Sequence, residues 1–267
     1  GLMAARRRRR IGAPLSRRGY LITSVTTFAV LLAIWTLVTV SGLVPPIFLP
    51  SPGAVLTALG EQLQNGELAA DTAASVYRIT VGFLAATVMA VPLGILMATF
   101  NRVEAAVEPF ADFVRYMPVV AFVPMTILWV GIGDLQKFVI IWLGTFFQQL
   151  LMVTADVGRV PRSLIDLGET LGMSNAKILR RIVLPAAAPR IWDTLRITLG
   201  WAWTWLVVAE LVAATSGLGY RITLAQRFLA TDIIIGYVLV LGVLGLVTDQ
   251  LMRWAGRRAF AYEQVKR

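Results

Sequence analysis

Few side chains in this 267-residue chain can do chemistry, and their spacing favours charge pairing and docking over bond-making. Arg78, Arg196 and Glu210 stand in or near long apolar runs. An ionised group at membrane depth costs about 2.5–3.5 kcal/mol on insertion scales, so each must face protein or water. Two roles are open to them: lining a polar passage or its gate, or pairing inside the helix packing. Trp201, Trp203 and Trp205 follow at i, i+2 and i+4, so only Trp201 and Trp205 share a helical stripe. Glu210 lies farther along the same segment. Trp201, Trp205 and Glu210, with Met125, Gln148 and Gln149, are the candidates for lining a solute path. An interfacial belt or a packing role suits the tryptophans better than substrate stacking, and ordinary helix packing suits the methionine and glutamines better than a path. Gly217, Leu218, Gly219 and Tyr220 form a candidate gate, or else a plain loop.

Other chemistries are excluded. There is no cysteine and no histidine, which removes thiolate nucleophiles, disulfides and the commonest general base and zinc ligand. No Gly-x-x-x-x-Gly-Lys-Ser/Thr run occurs, so this chain does not hydrolyse nucleotide itself. The net charge of +10 would suit nucleic acid, but its placement along the chain accounts for it as membrane topology.

The segment Asp166 to Pro185 has a different use. Ser163 and Asp166 fit a capping box, and Leu164, Leu167 and Leu171 fall on one helical face. Gly172 stands where a helix would end in a left-handed residue. Ser174 could cap a second helix, in which Ile178, Leu179, Ile182 and Val183 make an apolar stripe flanked by Lys177, Arg180 and Arg181. Pro185 is expected to stop that helix and push Leu184 toward an extended conformation. Two short amphipathic helices between apolar spans read as a docking surface.

The elements that carry these residues follow from hydropathy. The chain is 57% hydrophobic with a mean hydropathy of +0.73, and a helix needs about 20 apolar residues to cross a bilayer. Six candidate spans are predicted, at 20–44, 75–100, 116–133, 138–157, 191–214 and 232–252. Gly82, Ala85, Ala86, Ala90 and Gly94 suit the second span to close helix approach. The first is too long for the apolar core of a cleaved signal peptide. With six crossings, 20 of the 25 basic residues share one side: Arg6 to Arg10, Arg17 and Arg18, those of 159–190, Arg102 and Arg115, and the C-terminal group. The positive-inside rule then puts both termini and the 159–190 loop in the cytoplasm. The expected organisation is a basic N-terminal tail (1–19), a six-span domain (20–255) and a C-terminal tail (256–267). Arg6 to Arg10 would lie against anionic lipid.

Gly172 followed by Ile182-Val183-Leu184-Pro185 resembles the Glu-Ala-Ala-x-x-x-Gly-(nine residues)-Ile-x-Leu-Pro signature of bacterial ABC importer permeases. Asp166, Leu167 and Gly168 stand where that family commonly has Glu-Ala-Ala, and Leu167 and Gly168 depart from its small pair. Pro50-Ser51-Pro52, Arg78 with Gly82-Phe83, Arg115 with Pro118, Pro124 with Trp129 to Gly133, and Val208 to Leu211 resemble the nitrate/sulfonate/taurine group. Thr215 to Tyr220 and Phe228 to Asp232 look most like its taurine and aliphatic-sulfonate branch.

The resemblance implies an all-α membrane protein of the type I ABC importer permease fold: six transmembrane helices with a cytoplasmic coupling-helix loop in the bacterial inner membrane. It implies import of a small anionic or zwitterionic solute such as taurine, an aliphatic sulfonate or nitrate by alternating access. Bicarbonate or a thiamine-pyrimidine precursor are alternatives, as is a channel or anchor that recruits a soluble protein. The implied partners are a second copy of the chain, two ABC ATPase subunits, a periplasmic or lipid-anchored substrate-binding protein and membrane lipid. The chain itself takes no cofactor; ATP and Mg2+ belong to the ATPase. The coupling residues implied are Asp166, Leu167, Gly168, Gly172, Met173, Ser174, Ile182, Leu184 and Pro185.

Overall fold

The computed structural model describes residues 16–262, and those residues form helices and connections without strands. Arg6 to Arg10, Lys266 and Arg267 lie outside the described residues. Among the described residues, five helices are long and apolar enough to cross a membrane, and a bent pair brings the number to six. They are α1 (Arg17–Val40), α3 (Glu67–Thr99), α6 (Asp134–Gly158), the continuous helix Asn175–Ala213, and α11 (Thr231–Ala259). Two shorter helices, α2 (Pro52–Gln64) and α10 (Leu218–Arg227), sit between spans.

Packing centres on α3 and α6, as the small residues of α3 require. A Cβ on Gly82 would come within 2.8 Å of Ile141, and one on Gly94 within 2.8 Å of Val153. Ala86 and Ala90 are fully buried between them, with Met97, Phe146, Phe147 and Leu150. α1 stays at the periphery with no buried residue, held by Trp35 Nε1 donating to the Pro50 carbonyl at 3.0 Å. It ends at Val40 rather than 44, and Gly42 turns the chain with φ +71°.

Four expectations are corrected here. The span predicted at 116–133 is not one helix. α4 (Asn101–Arg115) ends before Pro118, a short 3-10 turn (Val119–Phe122) and α5 (Val123–Val130) follow, and the pair bends by 86°. Pro118 has no N–H to continue the α4 ladder, and α4 carries too much charge for hydropathy to mark it. The second span begins at Glu67 rather than 75, because Asp71, Ser75 and Arg78 are buried in protein rather than exposed to lipid. Pro185 does not stop a helix. Leu184 is helical (φ −62°, ψ −48°), and the chain runs from α8 (Asn175–Ile178) through a π-helical turn (Leu179–Val183) into α9 (Leu184–Ala213). The widened turn accommodates the missing proline N–H just before Pro185. α11 likewise continues to Ala259, past the start expected for the C-terminal tail.

Candidate functional site

The candidate coupling loop and a buried ionic network fall at opposite ends of α6. At its C-terminal end, three residues lead into α7 (Arg162–Thr170). α7 starts after Pro161, so Ser163 and Asp166 both lie inside it and the expected capping box does not form. Its other end matches the reading from sequence. Gly172 has φ +69°, the Gly172 N–H donates to the Glu169 carbonyl at 2.9 Å, and the Met173 N–H donates to the Gly168 carbonyl at 3.0 Å. This is a Schellman motif, and it turns the chain into α8. Ser174 takes the cap position of α8, but only its carbonyl is used, accepting from Lys177 and Ile178 at 2.9 Å.

Gly168 is buried under the second helix, where a Cβ would lie 2.9 Å from both Ile178 and Ile182. Ile178 and Val183 are buried, with Met173, Leu179 and Ile182 packed beside them. The second apolar stripe is thus consumed internally. The first is not: Leu164, Leu167 and Leu171 are 38%, 54% and 69% exposed. α7 therefore rests on α8 and presents an apolar stripe outward, beside exposed Lys177, Arg180 and Arg181. Asp166 is exposed, Leu184 is half-buried and Pro185 is exposed.

At the N-terminal end of α6 lies a buried ionic network. Asp71, Ser75 and Arg78 are spaced i, i+4 and i+7 along one face of α3 and point at the start of α10. Arg78 donates from Nε to Asp134 (2.7 Å), from Nη1 to Glu210 (2.8 Å) and the Ser216 carbonyl (2.6 Å), and from Nη2 to Ser216 Oγ (2.8 Å). Glu210, 1% exposed, also accepts from Ser75 Oγ and from the Gly219 N–H, each at 2.9 Å. The Gly217 and Leu218 N–H groups donate to Asp71 (3.0 Å) and Ser75 Oγ (2.9 Å). The first N–H groups of a helix have no partner within it; here side chains of α3 and α9 supply them.

Arg221 extends the network to Asp71 (2.8 Å) and Glu67 (3.0 Å). Burial works against its charge, but the Asp71 hydrogen bond and the two carboxylates outweigh burial and raise its pKa above the ordinary value. Lys137 Nζ is buried among the carbonyls of Ile132 (2.5 Å), Gly133 (3.2 Å) and Ala213, which ties the α5–α6 connection to the end of α9.

The solute-path candidates are not brought together. Glu210 belongs to the ionic network. Gln149 is fully buried and bridges Thr87 and Thr198 at 3.2 and 3.0 Å. Gln148 is half-buried, and Met125 and Trp201 are 43% and 42% exposed. Trp205 lines a cleft with Met117, at the α4–α5 break, and packs against Gly144, where a Cβ would collide with the indole. Trp203 is buried and donates to Thr248 Oγ1 of α11 at 3.2 Å. Arg196 lies 3.7 Å from Asp193 and 3.6 Å from Asp249. Gly217 to Tyr220 begin α10, docked by the network. Asp71, Ser75, Asp134, Lys137 and Arg221 were not singled out from sequence; the polar i, i+4, i+7 spacing of Asp71, Ser75 and Arg78 was the available signal.

Residues 90–260, which include both the 159–190 loop and Glu210, match the family model of the binding-protein-dependent transport system inner membrane component. The chain belongs to this family. It is an ABC importer permease component. The permease is 36% identical to the taurine transport system permease protein TauC of Escherichia coli K12, over 92% of this chain and 90% of that one. It is 32% identical to the protein named as the aliphatic sulfonates transport permease SsuC of Bacillus subtilis, over 86% and 83%. It is 30% identical to the bicarbonate transport system permease protein CmpB of Synechococcus elongatus, over 70% and 67%. An inward-facing crystal form of the MetNI methionine ABC transporter shares the permease's fold. The TM-score is 0.60 at 20% identity, and the match covers 71% of this chain and 92% of that one.

Proposed function

We propose that this permease is the transmembrane half-site of an ATP-driven importer for a small anionic or zwitterionic solute such as taurine, an aliphatic sulfonate or nitrate. Two copies would enclose one path at a two-fold axis, since identical halves are the simplest symmetric solution. Two separate ABC ATPase subunits would bind ATP and Mg2+, and a periplasmic or lipid-anchored binding protein would deliver the solute. Both termini and α7 would face the cytoplasm of the inner membrane. Bicarbonate is a second reading, favoured by the similarity to CmpB.

The outward apolar stripe of α7 carries this reading. Leu164, Leu167 and Leu171 are exposed on a helix braced from behind by Ile178 and Ile182, a form suited to seat in a groove of a soluble subunit. Asp166, Leu167, Gly168, Gly172, Met173, Ser174, Ile182, Leu184 and Pro185 would make up the coupling element. ATP-driven closure of the ATPases would move it and alternate the path between inward- and outward-facing states. The test is reconstitution in proteoliposomes with the ATPase and binding protein. Labelled taurine should enter only with ATP and loaded binding protein. Uptake without ATP would indicate a channel, and binding of the ATPase without any uptake would indicate an anchor.

A further inference from the structure

The 86° break between α4 and α5 opens a cleft of about 260 Å3, with Arg115 and Tyr116 on one wall and Gly144 and Trp205 on the other. Gly144 lies ~15 Å along α6 from Asp134, near the middle of that 25-residue helix. The charge count puts Arg115 on the cytoplasmic flank; the structure instead sets it in a cleft beside the middle of a span, and it differs from Arg78. Arg78 has all three guanidinium nitrogens engaged and a side chain only 6% exposed. Arg115 has a side chain 34% exposed. Its Nε is paired with Asp112 at 2.9 Å and its Nη2 donates to Tyr116 Oη at 3.2 Å, with the guanidinium 4.8 Å from the Tyr116 ring centre. Among the described residues Nη1 has no acceptor. A guanidinium carries five N–H donors in a planar fork suited to oxyanions. A half-exposed charge beside the middle of a span needs water or an anion in the cleft.

Deepening the transport reading, on which it rests, we infer that this cleft is a subsite for the oxyanion head of a small organic anion, a sulfonate or carboxylate, with Arg115 as its anchor. Asp112 is the resting counter-ion. It sits one turn back on α4, its side chain is 43% exposed, and it holds only Nε. An incoming oxyanion takes the open nitrogen and competes with Asp112 for the rest, so the empty site stays neutral and the filled site releases its ligand readily. Trp205, packed against Gly144, narrows the cleft and would favour small anions.

The experiment uses the full chain in lipid nanodiscs, labelled with 5-fluorotryptophan, with the Trp205 resonance assigned through Trp205→Phe. Methanesulfonate should move that resonance saturably, and methylammonium should not. Arg115→Gln should weaken the midpoint about ten- to a hundredfold, the loss expected for one charge-assisted hydrogen bond. Arg115→Lys should weaken it less, and Asp112→Asn should tighten it. A Trp205 resonance that does not respond in the wild type, or an Arg115→Gln midpoint equal to wild type, overturns the subsite. The Asp112→Asn arm retains the guanidinium; an unchanged midpoint there overturns the counter-ion role. No ATPase or binding protein enters the titration. A saturable shift without ATP-driven uptake in reconstitution would remove the transport reading and keep the subsite, and uptake without a shift would do the reverse.

Discussion

Arg78 on α3 and Glu210 on α9 form an ion pair 2.8 Å long in which the two side chains are 6% and 0% exposed. Both charges also hold backbone of the α9–α10 connection, through the Ser216 carbonyl and the Gly219 N–H. The pair thus joins two spans to the start of α10. It leaves Glu210 no free oxygen with which to meet a passing solute.

Removing one member of a buried pair strands the other charge, at a cost of about 3–5 kcal/mol. Arg78→Ala and Glu210→Ala should each lower the melting temperature of the purified permease. The double variant Arg78→Met/Glu210→Leu replaces both charges by apolar volume and should melt above either single variant. Singles that melt with the wild type would show that the network does not hold the fold.

Trp203 and Trp205 separate packing from passage. Trp203 fills the core against Ile79, Phe83 and Leu206, so Trp203→Ala should cost about 3–5 kcal/mol of stability. Trp205 borders the cleft and is half-buried. Trp205→Ala should lower uptake while leaving melting temperature and basal ATP hydrolysis close to wild type. Parallel loss of all three quantities in Trp205→Ala would make it a second packing residue and move the path elsewhere.

Local signals of short range were legible in the sequence, and long-range pairings were not. Gly172 announced its left-handed turn because no other residue takes that conformation at so little cost. The Gly82 and Gly94 approach to α6 was visible in the small residues of α3. Hydropathy missed the α4–α5 break, since it averages over a window and cannot see an 86° bend at Pro118. It also placed the start of α3 too late, because Asp71 and Arg78 find their partners far away in sequence, at Arg221 and Glu210. The same distance hid the fate of Glu210: one carboxylate in an apolar run reads alike as a passage residue and as half of a pair. Pro185 misled because a proline rule based on an ordinary helix does not anticipate a π-turn just before it.

Orientation can be read with single cysteines, since the native chain has none. Gln64 at the end of α2 and Ser174 before α8 are both exposed. In intact cells an impermeant maleimide should label Gln64→Cys and leave Ser174→Cys unlabelled until the membrane is opened. Labelling of Ser174→Cys from outside would invert the charge-based topology and place α7 away from any cytoplasmic ATPase.

Gly172→Pro tests the proposed coupling at the one backbone position where the 159–190 loop has no alternative. Gly172 sits at φ +69°, and proline is confined near −65°. The substitution also removes the N–H that donates to the Glu169 carbonyl. The turn between α7 and α8 must therefore open, which shifts Leu164, Leu167 and Leu171 relative to the brace of Ile178 and Ile182. No Cβ clash contributes, because nothing lies within 4 Å of the space a Cβ would fill. The effect is one of backbone conformation, and it is remote from the cleft and from the ionic network. The spans should assemble normally, ATP hydrolysis by the bound ATPase should lose its stimulation by loaded binding protein, and uptake should fall by at least tenfold, about 1.4 kcal/mol in coupling. Gly172→Ala retains the N–H and meets only the strain of a left-handed alanine, about 1 kcal/mol, so it should give an intermediate loss. If Gly172→Pro supports assembly, stimulated hydrolysis and uptake at wild-type levels, α7 is not the element through which the ATPase moves the permease.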